Sequence, residues 1–319
     1  MKYDIYFHGG CFDGVASAAM LLWFLRQRGD DYKKFTPLTH PVDKKWWRAL
    51  KMKNPSAITD ILYHPKASIW FDHHPTTFIE KKWEEKFRKD DRHVLDTTSP
   101  SCTGLIYRHY TKNKNFKIPK HIKDLVRWAD IIDRNLLEVY HTPKDAVNLI
   151  SGAVGVAKSF VDKKPSVAYA KFLIKALCEM PFSKIVKLLP VKKRINIHKS
   201  RLKKSFGGIE EHLVLYGSTV ILYGMSKMLT GARFAPYYFY PEAKYSIRIL
   251  KRGRFYVASV GINPWNKPKN LAHIGKFLAK NYGKISAGGH AVAASASFGS
   301  KKEVLEGAIS IADYLNKHV

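Results

Sequence analysis

Cysteine is scarce in this chain, which has three cysteines in 319 residues, at positions 11, 102 and 178. The number is odd, the spacings are long and no C-x-x-C pair occurs, which argues against a disulfide framework and fits a reducing compartment. Long apolar runs are also missing. No stretch approaches the length of a membrane span, and the first residues lack the apolar core of a signal peptide. We therefore expect a cytoplasmic protein with no membrane partner.

Acidic residues are few as well. The chain has 26 Asp and Glu against 55 Lys and Arg, which gives a formal net charge of +29. The excess is spread along the chain, and a field of this kind attracts polyanions and speeds their arrival. A lysine-rich proteome is the alternative explanation of the same count. The hydrophobic content of 45%, with 17 Tyr, 17 Phe and 7 Trp, indicates packed cores and argues against disorder.

Strand and helix patterns alternate in the first half of the chain. Apolar runs that end at breaks predict strands, and the Ala- and Leu-rich run from 14 to 28 predicts a helix closed by Gly29. The predicted strands are 3–7, 34–38, 56–59 and 67–71, and further helices are predicted at 105–110 and 122–132. This alternation predicts an α/β fold, with a parallel sheet that has helices on both faces.

The second half divides into a helical segment and a smaller α/β domain. Residues 163–213 are predicted to be mostly helical, 213–223 and 245–260 to be strands, and 304–315 to be an amphipathic helix. Within the helical segment lies a basic stretch, which is either an exposed helix facing nucleic acid or a solvated linker. We therefore divide the chain into a first domain at 1–190, a basic helical linker at 191–212 and a second domain at 213–319.

Polar groups with metal affinity fall at the ends of three predicted strands. His8 ends the first strand and Asp13 follows it, Asp60 ends another, and Asp72-His73-His74 ends a third. In an open parallel sheet, ligands bind beyond the carboxyl ends of the strands. The mixture of carboxylates and imidazoles, without a thiolate cluster, favours Mn²⁺, Mg²⁺ or Fe over a structural zinc.

A fourth carboxylate is available in the segment 128–133. Asp130 and Asp133 lie three residues apart on a predicted helix and so share one face. Either of them can supply the ligand. We favour Asp130, because Trp128-Ala129-Asp130 is the better match to the family pattern described next.

These motifs resemble those of a known family. The set His8-Gly9-Gly10-Cys11-Phe12-Asp13-Gly14, then Asp60, then Asp72-His73-His74, then Asp130 is similar to the four N-terminal motifs of the DHH phosphoesterases. The stretch Gly288-Gly289-His290, preceded by Tyr245-Ser246-Ile247-Arg248, resembles the associated C-terminal DHHA1 domain. The resemblance spans nearly the whole chain, and it identifies a family rather than a substrate.

The resemblance implies a Mn²⁺-dependent phosphoesterase with one or two ions, Mg²⁺ being the alternative. It implies that His8, Asp13 and Asp60 hold one ion, that Asp60 bridges, and that His73 and Asp130 hold a second. His74 is then expected to reach the scissile phosphate, and Asp72 to orient a histidine, since metal-bound imidazoles need such a partner. Two ions can activate water and stabilise the leaving oxygen of a phosphodiester.

One motif departs from the family pattern. Many relatives carry an aspartate two residues after the position of Asp13, where this chain has Val15, and others carry one two residues before, where it has Cys11. One expected oxygen ligand is therefore missing, which leaves the second ion weaker, held through water, or absent. Cys11 is either a ligand or a small packed thiol, and we favour the packed thiol.

Candidate substrate-binding residues lie in the second domain. Gly288 and Gly289 would let backbone N–H groups approach a phosphate, His290 adds a donor, and the guanidinium of Arg248 matches phosphate geometry. The alternatives are an ordinary turn and an exposed strand charge. Trp265 either stacks a base or packs in the core.

We expect a hydrolase that releases 5′-mononucleotides from short oligonucleotides or single-stranded nucleic acid. A second hypothesis keeps the chemistry and changes the substrate to a cyclic dinucleotide, a phosphoadenosine phosphate or polyphosphate. A third is a basic nucleic-acid-binding protein without activity. The expected partner is a short oligonucleotide or another phosphate polyanion, and a homodimer is the other candidate assembly.

Overall fold

The computed structural model describes the chain in ten stretches, residues 1–39, 42–75, 77–112, 116–134, 139–160, 166–206, 208–223, 233–283, 287–289 and 291–319. The described residues form two compact units. The first comprises Met1–Val139 and Ile150–Asn196, and the second comprises Tyr140–Leu149 and Ile197–Val319. The first unit thus extends to residue 196 rather than 190, and residues 140–149 pack with the second unit.

A five-stranded, fully parallel sheet forms the centre of the first unit, in the order β2-β1-β3-β4-β5. Its strands are β1 (Lys2–His8), β2 (Asp31–Leu38), β3 (Ser56–Thr59), β4 (Ile69–Asp72) and β5 (His93–Leu95). The central strands β3 and β4 are buried at every position. Such continuous burial is what a parallel sheet covered on both faces requires.

The helices of the chain are α1 (Phe12–Gln27), α2 (Lys44–Ala49), α3 (Lys81–Lys86), α4 (Cys102–Thr111), α5 (Lys120–Asp133), α6 (Pro143–Asn148), α7 (Gly152–Lys158), α8 (Val167–Glu179), α9 (Phe182–Ile185), α10 (Leu189–Phe206), α11 (Ala235–Phe239), α12 (Ile274–Tyr282) and α13 (Lys301–Asn316). None of the helices in the described stretches combines the length and the apolar character needed to cross a bilayer.

Apolar side chains pack on both faces of the first sheet. On one face, Trp70 of β4 belongs to a buried cluster that includes Trp47 of α2, with Trp83 of α3 packed against it. On the other face, Phe71 of β4 contacts Tyr110 of α4, which in turn contacts Phe24 of α1. Alternate residues of one strand therefore anchor helices on opposite faces. The predicted α/β class, with a parallel sheet between helices, is confirmed.

The second unit contains a six-stranded mixed sheet in the order β10-β11-β9-β8-β7-β6. Its strands are β6 (Leu213–Tyr216), β7 (Thr219–Leu222), β8 (Tyr245–Arg252), β9 (Phe255–Ile262), β10 (Ala287–Gly289) and β11 (Ala293–Phe298). The sequence predicts one strand at 213–223 and one at 245–260, but each of these segments forms an antiparallel hairpin of two strands. The breaks are at Gly217 and Gly253, both with φ of 61°, a conformation that glycine adopts without a steric cost.

The helical linker expected at 191–212 is largely the C-terminal part of α10, and the boundary between the two units falls within this helix, at residues 196 and 197. Val191, Ile195 and Leu202 form its buried stripe. Its lysines are exposed at positions 192, 193, 199, 203 and 204. Their exposure is compatible with both interpretations of the basic stretch.

Candidate metal centre

Three strand ends of the first sheet supply the side chains of this site. Strand β3 lies between β1 and β4, and all three run in parallel, so their carboxyl ends share one edge. His8 ends β1, Asp60 follows β3, and His73 and His74 follow β4. Three groups of residues have ligand atoms that all lie within 4.8 Å of one another, namely His8, Cys11 and Asp60; Asp60, His73 and His74; and Asp13, His73 and Asp133.

Asp60 lies at the centre of this cluster. It is 1% exposed and has φ of 58°, the only positive φ of a described non-glycine residue. Such a left-handed backbone is strained and tends to occur at functional sites. Its Oδ1 accepts no hydrogen bond from the described residues, although His73 Nε2 lies 3.4 Å away and His8 Nδ1 is 3.5 Å from Oδ2. Burial alone would raise the pKa of Asp60, but these imidazoles outweigh burial and lower it to about 2.

The ring of His73 is oriented by its second nitrogen. Nδ1 lies 3.1 Å from the carbonyl oxygen of Ser99. A carbonyl can only accept, so Nδ1 donates this hydrogen bond and Nε2 faces the cluster. Nε2 is buried without a hydrogen bond among the described residues and lies 3.8 Å from Asp13 Oδ2 and 3.7 Å from Asp133 Oδ2. Burial acts to lower the pKa of His73, but Asp60 and Asp13 raise it to about 10.

Asp13 is held by the N-terminus of α4. Its Oδ2 accepts the backbone N–H of Cys102 at 2.7 Å, and its Oδ1 accepts the N–H and the hydroxyl of Thr103 at 3.1 and 2.5 Å. Burial raises the pKa of Asp13 well above its usual range, and the neighbouring Asp60 and Asp133 raise it further. Three neighbouring carboxylates, of which Asp13 and Asp60 are buried, repel one another unless a cation lies among them.

Cys11 lies beside His8 rather than in a separate apolar pocket. It is the N-cap of α1, where its Sγ accepts the Gly14 N–H at 3.3 Å. The same sulfur lies 3.2 Å from His8 Nδ1 and donates to Asp60 Oδ2 at 3.4 Å. Gly14 permits this approach, because a Cβ there would lie 1.9 Å from the carbonyl oxygen of His8. Burial raises the pKa of the Cys11 thiol well above its usual range.

Asp72 and His74 form a hydrogen-bonded pair at the edge of the cluster. Asp72 is 1% exposed, and its Oδ1 lies 2.8 Å from His74 Nδ1 while its Oδ2 accepts the Thr77 hydroxyl at 2.5 Å. The hydrogen bond to Asp72 is the largest cause of a raised pKa of His74. The side chain of His74 is 44% exposed, so its other nitrogen is accessible to a ligand.

The choice between Asp130 and Asp133 is corrected by the geometry. Asp130 accepts a hydrogen bond from Ser101, and its Oδ2 lies 3.2 Å from the guanidinium of Arg108. Asp133, one turn later on α5, has its carboxylate in the cluster beside His73. The sequence favoured Asp130 as the ligand, but its carboxylate is already paired, and Asp133 is the residue that faces the histidines.

The segment before α4 contributes groups that the sequence did not identify. Ser99 orients His73, and the N–H groups of Cys102 and Thr103 hold Asp13. The pattern Ser99-Pro100-Ser101-Cys102 is typical of a helix N-terminus, and Ser101 is the cap of α4, accepting the Gly104 N–H at 2.9 Å. A helix N-terminus also attracts carboxylates. The pattern is therefore the sequence signal that a carboxylate such as that of Asp13 could lie beside α4.

The residues present fit a divalent cation. Two buried polar atoms of the cluster, Asp60 Oδ1 and His73 Nε2, have no hydrogen-bond partner among the described residues. Buried polar atoms are rarely left in this state without an ion or water to satisfy them. The donors are carboxylate oxygens and imidazole nitrogens with one thiol, a set that suits Mn²⁺, Fe²⁺ and related ions.

The candidate residues of the second unit lie in its sheet. Arg248, on β8, donates to the Ser259 hydroxyl at 2.9 Å, and burial and then the neighbouring Arg233 lower its pKa to about 10. Gly288 and Gly289 are strand residues of β10, paired with Ser295 and Ala294. His290 lies outside the described residues. Trp265 packs against Phe234 and donates to the carbonyl oxygen of Tyr140 at 2.9 Å, so packing accounts for it.

Comparison with solved structures identifies the fold. The chain aligns over its full length with the full length of PggH, a pGpG-specific phosphodiesterase from Vibrio cholerae, at 19% identity and a TM-score of 0.71. It also aligns over 99% of its length with 87% of the DHH domain of a member of the s1p family of ribosomal proteins, at 16% identity and a TM-score of 0.59. Exonuclease RecJ bound to manganese aligns over 100% of this chain and 90% of its own, at 12% identity and a TM-score of 0.53.

No family model and no curated protein matches the sequence. The fold is nevertheless that of the DHH phosphoesterases, and the resemblance inferred from the motifs is confirmed at the level of the fold. The ligand cluster lies at the sheet edge where the motifs predicted it.

Proposed function

We propose that this protein is a metal-dependent phosphoesterase that hydrolyses short oligonucleotides or single-stranded nucleic acid to 5′-mononucleotides. The observation that carries the proposal is the buried cluster at the carboxyl edge of the first sheet, in which Asp60 Oδ1 and His73 Nε2 have no hydrogen-bond partner among the described residues. The substrate class is supported by PggH, which is described as specific for pGpG, and by RecJ, which is described as an exonuclease.

The residues that would hold the metal are those of the cluster, namely His8, Asp13, Asp60, His73 and Asp133. When bound there, divalent ions supply Lewis-acid activation of water and stabilise charge on the phosphoryl oxygens. Mn²⁺ is our first choice, because the donors are oxygen and nitrogen and one RecJ structure holds manganese. Mg²⁺ is the alternative, since another RecJ structure holds that ion.

His74 is the residue we assign to proton transfer. Its Nδ1 is engaged by Asp72 at 2.8 Å, which fixes the ring and directs Nε2 away from the buried carboxylate. An imidazole held in this way and 44% exposed can donate to a phosphoryl or leaving oxygen. Asp72 positions the ring and is itself locked by the hydroxyl of Thr77.

Arg248 is the residue we assign to a substrate phosphate. Its side chain is half-buried, its hydrogen bond goes to a neutral serine, and no carboxylate among the described residues lies within ion-pair distance of it. Desolvation of a cation without a counter-charge is costly unless an anion neutralises it. Phosphate suits the guanidinium because two parallel N–H groups can bind it. The net charge of +29 favours the same class of partner, a polyanion.

The test of the proposed function is a substrate panel with Mn²⁺ and, separately, after chelation with EDTA. The panel compares 5′-phosphorylated dinucleotides, longer single strands, a cyclic dinucleotide, a 3′-phosphoadenosine phosphate and polyphosphate. We expect 5′-mononucleotides to be released from the linear oligonucleotides, at a rate that EDTA abolishes. If another substrate of the panel is turned over faster than the linear oligonucleotides, its class replaces them as the proposed substrate. Tight binding without turnover of any substrate would make the protein a binding module.

Replacing Arg248 with methionine is expected to raise KM for a linear dinucleotide about 10-fold or more, since a hydrogen bond to a charged group contributes about 1.5–3 kcal/mol. The free energy of unfolding should not fall, because the substitution removes a half-buried cation that lacks a carboxylate partner. The matched control is Arg252→Met on the same strand, where the side chain is exposed. A destabilised Arg248→Met protein with unchanged KM would make the arginine structural.

A further inference from the structure

Cys11 is the group in the cluster that the proposed function does not use. Its sulfur lies within reach of two ligand atoms, 3.2 Å from His8 Nδ1 and 3.4 Å from Asp60 Oδ2. These three residues form one of the groups whose ligand atoms all lie within 4.8 Å of one another. Asp60 adds an independent observation, because it is 1% exposed and its Oδ1 has no hydrogen-bond partner among the described residues.

The other two cysteines show what a packed thiol looks like in this protein. Cys102 Sγ donates to the carbonyl oxygen of Phe71, and Cys178 Sγ donates to that of Ala19. Both are buried and neither belongs to a group of metal-ligand atoms among the described residues. Cys11 differs in both respects, since it is partly exposed and faces an imidazole and a carboxylate. Packing therefore accounts for the thiols of Cys102 and Cys178, but not for that of Cys11.

We propose that Cys11 binds metal through its sulfur, and that His8, Cys11 and Asp60 form a nitrogen, sulfur and oxygen position that prefers Zn²⁺, Co²⁺ or Fe²⁺ to Mg²⁺. This inference deepens the proposed function and rests on it. On binding, a metal–sulfur bond forms, the S–H bond breaks and the proton leaves to solvent, with no change of oxidation state. Thiolate is a softer donor than carboxylate, so it shifts selectivity toward thiophilic ions.

The cluster then offers two chemically different positions. Asp13, His73 and Asp133 provide two carboxylates and one imidazole without sulfur, a set that suits harder ions such as Mn²⁺ and Mg²⁺. The position with Cys11 contains a single carboxylate. We therefore expect the two positions to differ in the metal that each prefers, rather than to bind two equivalent ions.

The experiment is a spectroscopic titration of the full-length protein with Co²⁺ and with Cd²⁺, in parallel with Mg²⁺ competition. Wild type should show a near-ultraviolet thiolate-to-metal charge-transfer band that saturates with one ion. Cys11→Asp and Cys11→Ser should lose the band. Cys11→Asp should still bind metal, and its preference for Co²⁺ over Mg²⁺ should fall by about 10-fold or more. The control is Cys178→Ala, which should keep the band.

Alkylation of Cys11 gives a second measurement that does not depend on activity. Bound Zn²⁺ should slow the labelling of Cys11 by iodoacetamide, because the metal occupies a lone pair of the sulfur and shields the atom from the reagent. Metal binding without a charge-transfer band and without protection would overturn the role of Cys11 and leave the proposed function intact. Failure of wild type to bind any divalent ion would overturn both.

Discussion

Replacing Asp60 with asparagine is expected to lower kcat by about 1,000-fold, because a carboxylate that holds the proposed metal would contribute several kcal/mol to the transition state and each 1.36 kcal/mol is a factor of ten. Asparagine is the informative substitution. It is nearly isosteric, and it tolerates the positive φ of 58° that alanine would adopt only with strain. The loss can therefore be assigned to the carboxylate rather than to the backbone.

Metal-dependent stability separates this effect from general unfolding. A divalent ion at 100 times its dissociation constant stabilises the protein that binds it by about 2.7 kcal/mol. Mn²⁺ should therefore raise the thermal midpoint of the wild-type protein, and it should not raise that of Asp60→Asn. Asp124→Asn is the control, since its exposed pair with Lys120 contributes little and lies outside the cluster. An Asp60→Asn protein with near-normal turnover would remove Asp60 from the metal site.

The first sheet could be predicted because its strands are short apolar runs with clear ends. Strands β1, β3 and β4 follow this pattern, and the helix α1 between β1 and β2 is rich in Ala and Leu and ends before Gly29. The edge strand β5 has three residues and no periodicity, so nothing in its sequence distinguishes it from a loop. The sequence predicts single strands where the structure has hairpins at Gly217 and Gly253, because a glycine within an apolar run also occurs in strand interiors.

The candidate site likewise contains residues that could be predicted from the sequence and groups that could not. The groups at strand ends, His8, Asp60 and the pair of histidines, could be placed because parallel strands bring their carboxyl ends to one edge. The groups that hold them could not be placed. Ser99 and Thr103 contribute a carbonyl, an N–H and a hydroxyl from a helix N-terminus that lies far along the chain. Backbone groups carry no residue signature, so only the three-dimensional structure reveals them.

Asp130 and Asp133 show the limit of periodicity as evidence. Two carboxylates three residues apart on a helix share a face, but the spacing does not say which of them reaches the ligands. That choice depends on the rotation of α5 relative to its neighbours. Arg108 and Ser101 of the preceding segment engage Asp130 and leave the carboxylate of Asp133 beside His73.

The two aspartates therefore offer a matched pair of substitutions on one helix. Asp133→Asn is expected to lower kcat about 100-fold and to weaken the stabilisation by Mn²⁺, because it removes a charged ligand from the cluster. Asp130→Asn should keep both within a few-fold of wild type. It should instead lower the free energy of unfolding by about 1 kcal/mol or less, because the ion pair with Arg108 is partly exposed and screened by solvent.

Measuring kcat, metal affinity and unfolding on the same two variants makes the assignment independent of any single assay. Each variant changes one carboxylate to an amide at nearly constant volume, on the same helix and one turn apart, so differences in packing or helix propensity are small. The opposite result, with Asp130→Asn inactive and Asp133→Asn active, would require α5 to rotate when metal binds. Equal effects from both would place the pair in one shared network, because Arg108 would then transmit the charge of Asp130 to the cluster.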